Sequence, residues 1–334
     1  MFGYSNFLQI EEITSQNLVL ASFITAINRI GTSGFIFISG YYLSGKGTVH
    51  NIKKIVSFLL EINFFSVCIL LASVVFTKQV SINVVIQSLM PIVTQHYWYP
   101  FNYVLLLLLY PYLNTLIGGL NKKAHLTLLL LLAGICCVYL KVDIFYTSSV
   151  FLGHSSHGFL WWVLLYFTAG YIQKYNVEYN SIWGIVFFAA CGIAGTVFIL
   201  LARQHPLLNQ LELADDNSIL GYCGTISLFL IFRNSRIIFG EKTKAILRYL
   251  VPATFTAYLF QEHNAVRSIL WKTVNIEAYA SGSSLLLLGR MCLTFLILWG
   301  IGFAFYLLYA VAKRVYLNRV CSAIVRVIEF RLKD

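Results

Sequence analysis

Residues 28–43 read NRIGTSGFIFISGYYL, which places two polar side chains and a run of small residues inside an otherwise apolar helix. Asn28 and Arg29 are costly in hydrocarbon, so we expect them to face a wet or protein-lined interior. The glycines and serines that follow would let neighbouring helix backbones approach closely. The alternative for Arg29 is a side chain that extends to the lipid headgroups. The stretch therefore predicts a membrane helix that contacts other helices.

The composition of the whole chain is that of an integral membrane protein. Of 334 residues, 59% are hydrophobic and 11% are charged, whereas soluble domains carry about 25% charged residues. Apolar runs long enough to cross about 30 Å of hydrocarbon recur along the chain. We therefore predict an all-α fold, a polytopic bundle of about nine transmembrane helices that forms one domain over residues 1–334.

Hydropathy and helical periodicity place the spans. They cover residues 18–43, 55–77, 98–117, 126–140, 158–174, 182–202, 218–232, 247–262 and 285–311. A segment of residues 1–17 precedes the bundle. Residues 312–334 form a basic amphipathic tail, which we expect to lie on the inner leaflet of the cell membrane.

The net charge of +11 would suggest a nucleic-acid partner in a soluble protein, but here the distribution of cations between loops explains it. Seventeen of the 24 lysines and arginines lie in alternate loops and in the tail, and only five lie in the opposite loops. The positive-inside rule then places the tail in the cytoplasm and the amino terminus outside. No nucleic acid is expected, and the spacing of the seven cysteines indicates neither disulfides nor a metal site.

Histidines gather in the loops predicted to lie outside. His96, His154, His157, His205 and His263 all fall there, and histidine is the side chain best suited to proton transfer near neutrality. His154, His157 and His263 are therefore candidate bases for a hydroxyl group. The alternative is that loops collect histidines without a function.

A second group of polar residues follows the eighth span. Glu262 and His263 could act as an orienting carboxylate and a base, although adjacent helical residues point in different directions. Asn264 and Arg267 lie within the same seven residues and are candidate substrate contacts. The alternative is a solvated helix end.

Aromatic side chains crowd the same predicted face of the membrane. Trp98, Tyr103 and Trp162 are candidate platforms for sugar rings. An interfacial belt of tryptophan and tyrosine is the alternative, because these rings favour the headgroup level without any substrate.

Four stretches together resemble the acyltransferase-3 family of membrane O-acyltransferases, in particular the Gram-positive enzymes that acetylate capsule or cell-wall polysaccharide. They are GFIFISGYYL (34–43), YWYPFNYVLLLLLYPYLN (97–114), GFLWWVLLYFTAGYIQKY (158–175) and YLFQEHNAVRSILW (258–271). The resemblance implies a ten-helix bundle that transfers an acyl group, usually acetyl, from cytosolic acyl-CoA to a glycan hydroxyl at the outer face. No bound cofactor is expected beyond acetyl-CoA or another acyl-CoA as the donor.

This resemblance assigns roles to the candidates. Arg29 would stabilise charge within the bundle, together with the candidate bases above. Lys53 and Lys54 could attract the phosphates of coenzyme A, although they are also ordinary positive-inside residues. The partners implied are the lipid bilayer and a polysaccharide or lipid-linked glycan. The rival function is that of a polysaccharide exporter or flippase, but two related halves with broken spans are not detected.

The family's first span normally carries an arginine and a histidine, and the resemblance here begins after that span. Residues 1–17 contain no signal peptide that would translocate Glu11 and Glu12. We therefore expect a further helix upstream in the natural protein, and poor or no transferase activity from residues 1–334 alone. In the late motif, Gln261 also occupies a position where many relatives have histidine.

Overall fold

The computed structural model describes residues 7–77, 80–139, 158–205, 208, 213–235 and 238–331. These residues form an all-α bundle without strands, as the sequence predicts. Its helices are α1 (Ser15–Ser44), α2 (Ile52–Thr77), α3 (Ile82–Leu89), α4 (Trp98–Gly119), α5 (Lys122–Gly134), α6 (Phe159–Lys174), α7 (Ser181–Gln204), α8 (Ile219–Asn234), α9 (Glu241–Glu262), α10 (Asn264–Val274), α11 (Ser284–Ala312) and α12 (Asn318–Arg331). Short π-helical segments continue α5 to Tyr139 and join α11 to α12.

Each of the nine predicted spans coincides with a helix. Within the described residues, six helices are long and apolar enough to cross a membrane, namely α1, α2, α4, α5 with its π-helical extension, α7, and α11 with its continuation. The other three predicted spans form α6, α8 and α9. The first two of these have only 16 residues each, and α9 begins with charged residues. The protein is therefore a multi-pass membrane bundle.

Helix α6 lies at the centre of the main hydrophobic core. Most of its side chains are buried, including Trp161, Trp162 and Tyr166, and it packs against α1, α4 and α5. A helix that is apolar on all sides must be surrounded by protein or lipid. Burial of α6 by its neighbours shows that it is enclosed within the bundle.

The small residues of α1 make only part of the close contact that the sequence predicts. Gly40 packs on α6, where an added Cβ would lie 3.2 Å from the Cα of Tyr166. Gly31 and Gly34 have no described atom within 4 Å of that position, so the prediction is wrong for these two glycines. Instead, the side chains of α1 enter gaps at glycines of neighbouring helices. Ala26 faces Gly195 of α7, and Ile30 faces Gly224 of α8.

A buried amide fixes the carboxyl end of α1. The Nδ2 group of Asn114 in α4 donates to the carbonyl oxygens of Leu43 (3.0 Å), Lys46 (2.9 Å) and Gly47 (3.4 Å). Its Oδ1 accepts a hydrogen bond of 2.6 Å from the hydroxyl of Tyr166 in α6. Three helices are thus joined at the loop between α1 and α2.

The amino end of α1 is held in a similar way. Asn17 is fully buried, and its Nδ2 donates to the carbonyl oxygens of Tyr279, Ala280 and Gly282 at 3.2, 2.9 and 2.8 Å. The hydroxyl of Ser284, at the start of α11, donates to Asn17 Oδ1 at 2.8 Å. Buried amides rarely remain unbonded, and this one ties α1 to the segment that leads into α11.

Helices α9 and α11 pack so closely at Gly302 that no larger residue would fit there without a shift of the backbone. A Cβ added at Gly302 of α11 would lie 2.5 Å from the carbonyl oxygen of Ala253 and 2.7 Å from the nitrogen of Ala257. Small residues that permit such contact are typical of packed membrane helices. Gly300, two residues earlier, has no described atom within 4 Å of its hypothetical Cβ.

We expect Gly302→Ala to destabilise the bundle by about 1–3 kcal/mol, because the new methyl group must push the α9 backbone away. The midpoint of thermal unfolding in detergent, followed by loss of the monodisperse peak, measures this effect. Gly300→Ala is the matched control, and it should stay within about 0.5 kcal/mol of the parent. Equal midpoints for the two variants would contradict the close α9–α11 packing.

Candidate functional site

Two histidines meet at one end of the bundle. His96 precedes α4, and His263 lies between α9 and α10. Their ring centroids are 4.8 Å apart, with an edge-to-face arrangement. The hydroxyl-bearing ring of Tyr97 lies 4.4 Å from His96 and 6.3 Å from His263. We call this group, with Ser88, Glu262 and Asn264, the histidine end of the bundle.

The segment between α3 and α4 sets the position of His96. Gln95 has φ of 52°, in the left-handed region that few residues other than glycine adopt. The backbone N–H of His96 donates to the carbonyl oxygen of Pro91 at 2.9 Å. Thr94 closes the same turn through its hydroxyl, which donates to the carbonyl oxygen of Met90 at 2.8 Å. This tight turn therefore places His96 beside Tyr97 and His263.

Both ring nitrogens of His263 are engaged. Nδ1 accepts from the backbone N–H of Ala265 at 3.2 Å, so the proton of the neutral ring is on Nε2. Nε2 lies 3.1 Å from the Ser88 hydroxyl, which itself donates to the carbonyl oxygen of Val84 at 2.6 Å. The His263 Nε2–H therefore donates to Ser88. Because neither nitrogen keeps an open lone pair, this geometry does not present His263 as a base.

His96 has a different environment. The Nδ2 group of Asn264 donates to His96 Nδ1 at 3.2 Å and to Gln87 Oε1 at 2.7 Å. His96 Nε2 is buried and has no hydrogen-bond partner among the described residues. Gln87 and Asn264 lie on α3 and α10, so two short helices hold this imidazole from one side.

Burial keeps both histidines neutral. It lowers the pKa of His96 from 6.5 to about 4, because an imidazolium would lose its hydration. Burial also lowers the pKa of His263 to about 3, and proximity to His96 adds to this effect. The pKa of Tyr97 is raised, first by burial and further by the nearby Glu262. Near neutral pH, the two rings therefore carry no charge.

Glu262 and Arg267 complete this end of the bundle. The carboxylate of Glu262 is buried, and its Oε2 lies 4.0 Å from an Nη of the half-exposed Arg267. Glu262 influences Tyr97, whereas His263 contacts Ser88 and Ala265. The two adjacent residues thus act on different partners, as helical geometry predicts.

A basic cavity lies at the amino end of α2. It has a volume of about 400 Å³ and is lined by Lys46, Lys53, Lys54 and His50, by apolar residues of α1, α2 and α4, and by Glu329 of α12. We call it the lysine cavity. Twelve residues of α2 separate Lys54 from Ser66, which neighbours Tyr97 at the histidine end. At a rise of 1.5 Å per residue, the two sites are about 18 Å apart.

The wall of the lysine cavity is built from the loop that Asn114 anchors. The Tyr110 hydroxyl donates to the carbonyl oxygen of Val49 at 2.6 Å. His50 Nε2 donates to the carbonyl oxygen of Leu108 at 2.7 Å. The other wall is α12, where Cys321 Sγ lies 3.8 Å from the carbonyl oxygen of Lys53. Helix α12 therefore packs on the start of α2, rather than extending away from the bundle.

A continuous series of aromatic rings joins the two ends. The Lys54 ammonium lies 5.8 Å from the ring centre of Tyr103, which stacks on Tyr99 at 6.4 Å. Tyr99 contacts Tyr258 at 6.1 Å, and Tyr258 contacts Tyr97 at 6.5 Å. We call this series the aromatic seam. Lys54 lies on α2, and Tyr103 and Tyr99 lie on α4. Tyr258 lies on α9, and Tyr97 directly precedes α4.

Arg29 lies in a separate polar site. One of its Nη atoms is 2.8 Å from Asp215 Oδ1, and the two side chains are 34% and 20% exposed. The Asp215 segment enters the bundle, because the Ser33 hydroxyl is 3.5 Å from the carbonyl oxygen of Asp216. The Trp161 indole N–H donates to Ser33 Oγ at 3.1 Å. Arg29 thus faces protein, as expected, and its partner is a carboxylate.

The remaining candidates from the sequence are dispersed. His154 and His157 lie outside the described residues. Trp162 is fully buried beside Tyr99, and Tyr103 lies in the aromatic seam beneath Lys54. Trp98 is half-buried and contacts Tyr99 at 5.7 Å.

Several residues that the structure brings to these sites were not among the candidates chosen from the sequence. They are Gln87, Ser88, His96, Asp215 and Glu329. Only His96 carried a signal, as a loop histidine just before an aromatic run. The others reach their partners through contacts between segments far apart in the chain. Among the described residues, no group of three histidine, cysteine or acidic side chains could hold a metal ion.

Comparison with known proteins assigns the chain to a family. The acyltransferase-3 family model, whose description is Acyltransferase domain, matches residues 1–313. No curated protein matches the chain, and no solved structure matches it. The match covers most of the 334 residues and includes all four stretches that carry the resemblance. The chain belongs to the acyltransferase-3 family of membrane acyltransferases.

Proposed function

We propose that this membrane acyltransferase transfers an acyl group from acyl-CoA to a hydroxyl of a cell-surface polysaccharide or its lipid-linked precursor, and the family resemblance favours acetyl as that group. The observation that carries the proposal is that a lysine cavity at the amino end of α2 and a histidine cluster beside the middle of α2 lie about 18 Å apart. A reaction between a cytosolic donor and an outer acceptor needs two such sites.

The lysine cavity suits a phosphate-bearing donor. Lys46, Lys53 and Lys54 present three cations to a space of about 400 Å³, and lysine binds phosphate as a point charge. These lysines also belong to the side of the protein that holds most of the positive charge, which the positive-inside rule assigns to the cytoplasm. Coenzyme A would therefore bind at this end.

The histidine end suits the acceptor. It lies about 18 Å along α2 from the lysine cavity, and it combines neutral imidazoles with the exposed Asn264 and the half-exposed Arg267. The exposed groups can bond sugar hydroxyls, while the buried ones hold a fixed geometry. The aromatic seam provides an apolar route along which the acyl group of the donor would approach.

A transporter is the rival function, but the polar groups favour transfer chemistry. An exporter must admit a whole glycan between its helices, to a substrate site near the bilayer midplane. In the described residues, the aromatic seam between the two sites consists of rings in mutual contact. Such a seam suits a short acyl group better than a polysaccharide.

The proposed function predicts transfer of radiolabelled acetyl from acetyl-CoA to polysaccharide. Membranes from a strain with the gene deleted would be supplied with the deletion strain's own polysaccharide, with and without the protein expressed from the natural gene together with its upstream sequence. Label should enter the polysaccharide only in the presence of the protein and should be released by mild alkali, as an ester is. Loss of the gene with no change in the acetyl content of the polysaccharide would contradict the proposal.

The charged side chains that line the lysine cavity should determine how tightly the protein binds acetyl-CoA. We expect Lys53→Gln combined with Lys54→Gln to raise the KM for acetyl-CoA by about three- to tenfold, since each partly exposed ion pair contributes up to about 1 kcal/mol. Glu329→Gln should lower that KM by about two- to fivefold, because a carboxylate that repels the phosphates is removed. Both effects should weaken at high salt.

Glu241→Gln is the control for these donor variants. Glu241 is exposed on α9, pairs with Lys244 at 2.8 Å and does not line the cavity. Its KM for acetyl-CoA should match that of the parent. An unchanged KM in the double lysine variant would place the donor elsewhere.

The Arg29–Asp215 pair should contribute to turnover. Lysine keeps the charge at position 29, but it cannot reproduce the planar fork of hydrogen-bond donors that arginine offers. We expect Arg29→Lys to reduce acetyl incorporation by about tenfold, which corresponds to about 1.4 kcal/mol in activation free energy. Asp215→Asn, which removes the partner, tests whether the pair acts as a unit. Equal incorporation by Arg29→Lys and the parent, at equal expression, would contradict this role.

A further inference from the structure

The hydrogen bonds around His96 determine which of its nitrogens carries the proton. Asn264 Nδ2 is 3.2 Å from His96 Nδ1, and an amide nitrogen can only donate. His96 Nδ1 is therefore an acceptor, and the proton of the neutral ring is on Nε2. That Nε2–H group is buried, without a hydrogen-bond partner among the described residues.

Gln87 fixes the orientation of the Asn264 amide. Its Oε1 lies 2.7 Å from Asn264 Nδ2, so both hydrogens of the Asn264 amide are used, one on Gln87 and one on His96. Turning the Asn264 amide alone would place two oxygens opposite each other. The pair of short helices α3 and α10 thus maintains one tautomer of His96. A buried donor with no acceptor costs about 1–3 kcal/mol in a resting protein, and an acceptor atom of a bound ligand would offset that cost.

We propose that His96 is a catalytic residue that acts as a neutral hydrogen-bond donor, with its Nε2–H directed at the carbonyl oxygen of the transferred acyl group. Asn264 is the positioning residue that keeps the proton on Nε2. This inference rests on the proposed function and extends it, since it assigns to a histidine the role of an oxyanion donor where the sequence suggested a base.

The reaction balances with His96 in this role. The acceptor hydroxyl oxygen forms a bond to the carbonyl carbon of the thioester, and the carbonyl oxygen gains negative charge. The carbon–sulfur bond then breaks, and the hydroxyl proton ends on sulfur as the free thiol of coenzyme A. His96 keeps its Nε2 proton throughout, and it stabilises the oxyanion as the charge develops.

The surroundings of His96 favour a donor over a base. The titratable groups that face it are His263 and Tyr97, with Glu262 and Arg267 behind them. Burial disfavours the imidazolium that a base must form, and a base works best when its pKa is close to the working pH. A neutral imidazole with a lowered pKa remains a good donor across the whole range above that pKa.

Substitutions at His96 separate the two roles. His96→Leu removes the donor and should lower the rate of acetyl transfer by about 10²- to 10³-fold. His96→Gln keeps an N–H group, so it should retain at least about tenfold more activity than His96→Leu. The assay uses radiolabelled acetyl-CoA and polysaccharide from the deletion strain. If His96 were a base, glutamine and leucine would be equally inactive.

The pH dependence of Asn264→Asp provides the second test. An aspartate accepts a hydrogen bond, so it should draw the proton to Nδ1 of His96 and leave Nε2 as a lone pair. It should also raise the pKa of His96, because a carboxylate favours the imidazolium. The variant should therefore be impaired at pH 8 and recover as pH falls towards 5.5, where the imidazolium carries hydrogen on both nitrogens. A base would respond in the opposite way, with activity that rises with pH.

Two further measurements complete the design. The exposed His205 serves as the control, and His205→Leu should transfer acetyl at the parent rate. Nitrogen NMR of protein labelled in its histidines, assigned with His96→Gln, should show His96 protonated on Nε2 at pH 7. A proton on Nδ1, or parent-like transfer by His96→Leu, would overturn the inference and leave the proposed function in place. Absence of transfer by the parent protein would instead overturn the proposed function, and this inference with it.

Discussion

The buried amide of Asn114 is the constraint on which the arrangement of the lysine cavity depends. It donates to three backbone carbonyl groups at the end of α1 and accepts from Tyr166, so it connects α1, α4 and α6 at one point. The loop that it holds supplies Lys46 and His50 of the cavity and leads into α2, which carries Lys53 and Lys54. Backbone carbonyl groups buried without a partner are costly, so the loop cannot move away from Asn114 without finding another donor. The position of the proposed donor site thus follows from the packing of the central helix.

The histidine end depends on a different constraint, the close packing of α9 on α11 at Gly302 and Ala257. Helix α9 ends at Glu262, and the chain turns at His263 into α10, which carries Asn264. Any shift of α9 along α11 would therefore move Glu262, His263 and Asn264 together. His96 is placed independently, by the turn at Gln95. The pairing of the two histidines requires both placements to be correct, and the left-handed backbone of Gln95 is part of the placement of His96.

The sequence predicted the helices far better than the contacts between them. Long apolar runs locate spans because hydrocarbon admits few alternatives to a helix, and the ends of the nine predicted spans differ from the helices by only a few residues. The sequence could also indicate that Arg29 needs a polar environment, but it could not identify Asp215, which lies 186 residues later. The close contacts predicted at Gly31 and Gly34 are not found among the described residues. A glycine permits another helix to approach closely, but it does not require that approach. Which face of α1 meets a neighbour is set by the whole bundle.

Histidines at a membrane surface are usually considered for proton transfer, and the geometry here shows why residue type alone does not decide this. A base needs an open lone pair and water or charge nearby to stabilise the protonated ring. His263 has no open lone pair, because Ala265 and Ser88 occupy its two nitrogens, and burial removes the stabilising water. The neighbouring carboxylate of Glu262 has Arg267 beside it, which lessens the charge that it could offer an imidazolium. The same burial that weakens a base strengthens a neutral hydrogen bond, since the local dielectric constant falls. The sparse charge around these rings is therefore consistent with a site that stabilises a developing oxyanion through fixed dipoles.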